Sequence, residues 1–303
     1  FTFFCKRSLE LTKELGFQPD IVHANDWQAA LLPVLLKTKY LKDPFFQKTK
    51  LLLTIHNLAY QGIFPQKHYP VLELPKKLFS INGFEFYGKI NLLKAGILFA
   101  DAISTVSPTY AVEIQTKEFG FGLNEVVKKR AKSLTGILNG IDTAAWNPAK
   151  DKAIKKPFSI TTLEGKAVNK ADLQKTCGFQ VDPELPLFGM VTRFAEQKGL
   201  ESFAEIADEF LSKDVQFVIL GEGDGVYHTT FRNIGARHPK NTAITLGFDA
   251  EESRRIYAGC DFFLMPSLFE PCGLGQLISL RYGTVPIVRH TGGLADTIID
   301  RDA

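Results

Sequence analysis

Short runs of β-branched and aromatic residues recur along this chain, each followed by a glycine-containing or charged loop and then by a longer segment of helical period. That rhythm leaves few folds open. A parallel strand cannot be reached through a tight turn, and a helix is the usual crossover, so the alternation predicts layered α/β structure with doubly wound parallel sheets. In the first half, strands are expected at 21–23, 51–55, 102–106 and 134–138, with helices at 28–40, 89–100 and 108–115. Ser107 as N-cap and Pro108 at the first helical position mark the start of the last helix. The rhythm fails between 143 and 159, where Trp146-Asn147-Pro148 and Lys155-Lys156-Pro157 make a polar, proline-punctuated stretch that reads as a domain crossing. It then resumes with strands expected at 187–191, 215–220, 243–246, 262–265 and 285–288. Two domains, 1–145 and 146–303, suit a chain of 303 residues better than one small core.

Charge narrows the possible partners. The 36 Lys and Arg against 33 Asp and Glu are evenly mixed, with no basic stripe of the kind nucleic acid needs, so no nucleic-acid partner is expected. The best apolar run, 95–102, contains Asp101 and is far shorter than the ~18 residues of a membrane span, so no membrane partner is expected either. Cys5, Cys177, Cys260 and Cys272 show no C-x-x-C spacing, which fits neither a disulfide framework nor a zinc site and suits a reducing compartment. The chain opens on Phe1 with no signal-peptide pattern, and it ends just after a helix-like segment, so further sequence is expected on both sides.

The loops after the expected strands hold the chemistry-bearing residues. Ligands of doubly wound sheets bind at the carboxyl ends of the strands. Residues 192–199 place Arg193 and Lys198 in one segment, with Gly199 opening a helix. A guanidinium, an ammonium and a helix start suit a diphosphate, although the same loop could be a solvated surface turn with a Glu196–Lys198 pair. Residues 267–275 set Glu270 beside Pro271 and Cys272, followed by Gly273, Leu274 and Gly275. The carboxylate could accept sugar hydroxyls while the glycines let backbone N–H groups approach a ligand. The plainer alternatives are that Glu270 caps the next helix and Cys272 is a small buried residue. Thr291, Gly292 and Gly293 repeat the pattern after the last strand, where paired glycines suit close packing or phosphate approach. The run 221–225 (GEGDG) has its third glycine one place early for a dinucleotide fingerprint. In the first half Asp26 and His56 end strands, where a structural role and a site role both remain open.

Taken together, HANDWQ (23–28), TIHNLAYQG (54–62), residues 92–110, GILNGID (136–142), RFAEQKGL (193–200), PSLFEPCGL (266–274) and RHTGGLADT (289–297) resemble the bacterial glycogen synthase and plant starch synthase family in content and order. Those enzymes are retaining glycosyltransferases of GT-B architecture, with two Rossmann-like domains facing a cleft. The resemblance implies that 1–145 is the later part of the acceptor-side domain. It implies that 146–303 is the nucleotide-sugar domain without its end. By the same resemblance Arg193 and Lys198 bind the distal phosphate of ADP-glucose, and Glu270 engages the glucose near the reacting carbon. Asp26 and His56 touch the sugar, with Asn139 nearby, and Phe248 stacks on adenine where tyrosine is familiar. Asn25 and Gln28 depart from a common histidine, and Ile278 stands where wider GT-B families carry a second glutamate. The family's lysine–glycine–glycine phosphate loop does not occur in these residues and is expected upstream.

The reaction so implied is glucose transfer to the non-reducing end of an α-1,4-glucan with retention, without cofactor or metal, in the cytoplasm or a plastid stroma. ADP against UDP as nucleotide and the oligomeric state stay open. Two rivals are a phosphorylase-like enzyme of the same architecture and a non-catalytic glucan-binding relative.

Overall fold

The computed structural model describes residues 1–300 and 302. The chain divides into two compact units, Phe1–Leu138 and Asn139–Ala303. The division falls before the proline-rich stretch, seven residues earlier than the expected boundary after 145. The reason is packing: Ile141 and Trp146 lie against a core of Ile154, Phe158, Tyr257 and Tyr282. Arg254 locks the same segment down, donating to Ala145 O (2.8 Å) and Asp151 Oδ2 (2.9 Å) with its guanidinium 4.3 Å over the Trp146 ring.

In the first unit, β1 (Ile21–Asn25), β2 (Lys50–Ile55), β6 (Ala102–Thr105) and β7 (Leu134–Gly136) form a parallel sheet in the order β1-β2-β6-β7. Between β2 and β6, three short strands, β3 (Ile63–Pro65), β4 (Glu85–Phe86) and β5 (Lys89–Asn91), make a small antiparallel sheet. The helix expected over 89–100 therefore begins only at Leu92. Its first three residues are drawn into pairing with β3 and β4, and the Asn91 side chain caps the helix by accepting from Lys94 N at 2.9 Å. The helix expected over 28–40 is two pieces, Asp26–Ala29 and Leu31–Lys37. Ser107 does cap the helix Pro108–Glu113, accepting from Tyr110 N at 2.8 Å.

In the second unit, β8 (Leu187–Phe194), β9 (Gln216–Gly223), β10 (Thr242–Leu246), β11 (Phe262–Met265) and β12 (Val285–Val288) are all parallel, in the order β10-β9-β8-β11-β12. Helices cover both faces. Phe217 and Ile219 of β9 join a core with helices Leu200–Leu211 and Gly225–Arg237, whereas Val218 and Leu220 join Leu173, Ile256 and Cys260 on the opposite side. β8 and β9 run three residues further than expected, pairing up to Phe194 opposite Gly223. This extension puts Arg193 on a strand instead of in a loop. It also explains two of the glycines of 221–225: a Cβ on Gly221 would lie 2.2 Å from the Phe194 ring and one on Gly223 2.2 Å from Phe194 O, so both are small to let β8 and β9 close. Among the described residues, no helix is long and apolar enough to cross a membrane.

Burial also sets a pH signature. The Cys5 thiol, on the buried face of the first helix (Thr2–Glu14), is pushed up by burial from an ordinary value near 9 to about 11. The unfolded chain ionises this thiol first, so its share of stability is complete below pH 9 and lost as pH rises towards 11. The urea midpoint of the first unit should fall over that interval, and Cys5→Ala should flatten the fall. Equal slopes in the two proteins would contradict the assignment.

Candidate functional site

The chain reverses its direction across the second sheet between β8 and β11. β8 leads outward to β9 and β10, and the remaining strands are then laid on the other side of β8. At such a switch the two crossovers leave in opposite directions and a crevice opens at the strand ends. Here β11 pairs with β8 at only two positions, Phe188–Phe262 and Gly189–Phe263. Beyond them the strands part, and a cavity of about 220 Å³ opens, lined among others by Arg193, Lys198, Ser267, Glu270, Gly273 and Leu274.

The two loops above the gap are tied back together. Leu268 N donates to Gln197 O at 2.9 Å, and Gln197 Nε2 to Phe269 O at 3.2 Å. Gly199 sits at φ +63°, and a Cβ there would lie 2.0 Å from Pro266 O. Held this way, Lys198 Nζ reaches Glu270 Oε2 at 2.6 Å, and Ser267 Oγ donates to the same oxygen at 3.0 Å. Glu270 is only 6% exposed, yet both bonds fall on Oε2, leaving Oε1 without a protein partner among the described residues. Arg193 is exposed at the end of β8 and forms no ion pair among the described residues. The carboxylate does not cap the following helix, which begins at Gly275, so the plainer reading of Glu270 fails.

A third loop, from the β12 side, packs against the Glu270 turn without lining the cavity. Gly292 is at φ +45° and opens the helix Gly292–Thr297; Thr291 before it is buried. Gly293 N donates to Glu270 O at 3.0 Å and to Pro271 O at 3.2 Å. Cys272 is buried, its thiol pushed up by burial and only partly relieved by the backbone of Asn139, so it stays a neutral thiol at neutral pH. Thus Asn139, Cys272, Gly273, Leu274 and Gly275 gather around one turn. Phe248 does not line the cavity; it follows β10, two strands away, and is 83% exposed.

In the first unit the ends of β1 and β2 are joined by Asp26, whose Oδ1 accepts from His56 N at 2.7 Å. Asp26 holds a left-handed φ of +55°, which aspartate tolerates better than most residues. His56 Nε2 also lies 2.9 Å from Asn25 Oδ1. Below them Thr54 Oγ1 links His23 Nε2 (2.6 Å) to Ser104 Oγ (2.7 Å) across three strands. Two residues that the sequence reading left without a role matter here. Ser267 lay inside a recognised motif but carries no charge to draw notice. Gln276, in the first turn of a helix, has the pattern of a solvent-facing residue and is in fact fully buried. Among the described residues there is no group of three or more His, Cys, Asp or Glu able to hold a metal ion.

A sheet with this switch point and charged strand-end loops, preceded in the chain by a second parallel sheet, has the GT-B architecture. The family model for the starch synthase catalytic domain matches residues 1–129, and that for glycosyl transferases group 1 matches 178–303. Glycogen synthases of Syntrophotalea carbinolica and Thermotoga maritima are each 50% identical over 300 residues, 99% of this chain and 62% of theirs. A solved structure of the catalytic domain of Starch Synthase IV from Arabidopsis thaliana, bound to ADP and acarbose, superposes with a TM-score of 0.93 at 36% identity, covering 100% of this chain and 63% of that one. Sucrose-phosphate synthase from Thermosynechococcus elongatus, at 16% identity and a TM-score of 0.61, shares the fold. The chain belongs to the bacterial glycogen synthase and plant starch synthase family. It spans 62% of the length of those curated relatives.

The loop bracing has a direct consequence. Gly199→Ala must both strain a left-handed backbone and push Pro266 away, and should cost about 1–3 kcal/mol of stability. A urea titration following the second unit checks this, and a loss under a few tenths of a kcal/mol would show that the loops are not held through Gly199.

Proposed function

We propose that the protein transfers glucose from ADP-glucose to the non-reducing 4-hydroxyl of a growing α-1,4-glucan, with retention of configuration. The observation that carries this reading is the Lys198–Glu270–Ser267 arrangement at the switch-point cavity, in a chain whose relatives are glycogen synthases. The ADP and acarbose of the Starch Synthase IV structure support a nucleotide sugar and a glucan as the substrates. In this reading Lys198 and the exposed Arg193 bind the distal phosphate, where charge builds as the bond from the sugar C1 to the diphosphate breaks. Glu270 Oε1, without a protein partner, accepts hydroxyls of the glucose. Asp26, His56 and Asn139 engage sugar, and the exposed Phe248 ring offers adenine a stacking face.

Retention is assigned to a front-face route. The acceptor oxygen bonds to C1 on the side from which the diphosphate leaves, and its proton passes to the departing phosphate oxygen. Cys272, in the turn itself, is held as a neutral thiol, which disfavours a covalent intermediate on it. The proposal invokes no cofactor, and it sets the reaction in the cytoplasm or a plastid stroma.

Incorporation of labelled glucose into glycogen by the purified full-length protein, from ADP-glucose and from UDP-glucose, tests the reading. Incorporation from neither would sink it. Lys198→Ala should lower turnover roughly 10²–10³-fold while leaving the glucan KM nearly unchanged. An unchanged turnover with a raised glucan KM would assign Lys198 to the acceptor instead.

A further inference from the structure

Gln276 is fully buried, and its amide is used in one direction only. Nε2 donates to Cys272 O (3.0 Å), Gly273 O (3.1 Å) and Thr297 Oγ1 (3.1 Å), two hydrogens shared among three oxygens. Oε1 has no partner. The reverse orientation would set the amide oxygen against two carbonyl oxygens, which can only accept, so the assignment is fixed by chemistry. Oε1 instead abuts Gly273, where a Cβ would lie 2.5 Å away and where φ is +73°.

The two carbonyls belong to successive peptides, Cys272–Gly273 and Gly273–Leu274. All peptide bonds in this turn are trans, so in each the N–H points opposite to its C=O. Drawing both carbonyls towards the buried amide therefore turns the N–H groups of Gly273 and Leu274 the other way. Gly273 and Leu274 line the cavity together with Lys198 and Glu270, and among the described residues neither N–H has a protein acceptor. Gly293 N does the same for the two preceding carbonyls, of Glu270 and Pro271. Four consecutive carbonyls, of Glu270, Pro271, Cys272 and Gly273, are thus held by two donor groups.

We infer that Gln276 is a positioning residue: through the carbonyls of Cys272 and Gly273 it aims two backbone donors at oxygens of the ligand in the switch-point cavity. The consequence for binding rests on the nucleotide-sugar reading above; the orientation of the two N–H groups does not. A purely structural staple would only join the turn to the helix Gly292–Thr297 through Thr297.

Gln276→Met keeps the length and removes the donors, and Thr297→Val cuts the staple while leaving the two carbonyls held. Residual dipolar couplings on the ligand-free protein read N–H directions directly. Gln276→Met should change those of Gly273 and Leu274 while amides of β8 and β9 keep theirs, and Thr297→Val should change neither pair. With ADP as probe, Gln276→Met should weaken binding about 10- to 100-fold at unchanged glucan KM, and Thr297→Val less than about 3-fold. If Gln276→Met does not fold, Gln276→Glu serves: its carboxylate cannot donate, whereas its protonated form restores one donor, so its deficit against wild type should shrink on acidification. Unchanged couplings in Gln276→Met, or equal ADP losses in the Met and Val variants, would overturn the inference. Absence of ADP binding by the wild type would remove the nucleotide-sugar reading, and the couplings alone would then decide the role of Gln276.

Discussion

Everything at the candidate site follows from the parting of two strands. β8 is paired along its whole length with β9 but at only two positions with β11. A sheet wound in one direction would have closed that gap with continuous hydrogen bonds. Because the chain lays β9 and β10 first and returns to the other side of β8 for β11 and β12, the crossovers diverge and the strand ends are left open. The opening costs backbone pairing, and loops recover it one layer higher through Leu268, Gln197 and Gly199. The cavity is therefore braced below by the sheet and above by loop-to-loop bonds.

That bracing makes the Lys198–Glu270 pair possible. Two charges this shielded from water bind each other well only if geometry is good and remaining sites are satisfied; removing one partner of such a pair commonly costs about 3–5 kcal/mol. Ser267 supplies the extra bond on Oε2, and the desolvation is met while the protein folds. In the proposed reaction an incoming ligand would find the carboxylate already oriented, with its second oxygen open. The reorganisation that water would have to undergo around a free glutamate is absent, which is the physical content of preorganisation.

How much of this could be read from residues alone follows from the range of the interactions. Alternating strands and helices are local patterns, and the five strands of the second sheet fall where β-branched runs place them. Ser107 and Pro108 announce their helix because a cap acts within one turn. The misses are all longer in range. Residues 89–91 have helical periodicity but are claimed in part by β3, more than twenty residues earlier. Arg193 looked like a loop residue because nothing near it says that β9 continues to Gly223. Gln276 was invisible because its partners Cys272 and Gly273 are backbone carbonyls, which have no residue type, and its third partner, Thr297, lies 21 residues later.

The first unit meets the same problem with different residues. Strand-end groups are useful for chemistry only if the strand ends themselves are fixed, and parallel strands have no turn to fix them. Asp26 provides the tie in place of a loop: its carboxylate accepts the backbone N–H of His56, joining β1 to β2 just beyond their last pairing at Asn25 and Thr54. The left-handed backbone at Asp26 is what swings the side chain across, at a cost of order 1 kcal/mol for a non-glycine residue. A strained residue that spends its carboxylate on one backbone donor still has a second oxygen, just as Glu270 does. In both units, then, a carboxylate uses one oxygen to brace the strand ends and keeps the other uncommitted among the described residues, so removing either carboxylate takes away the brace together with the open oxygen.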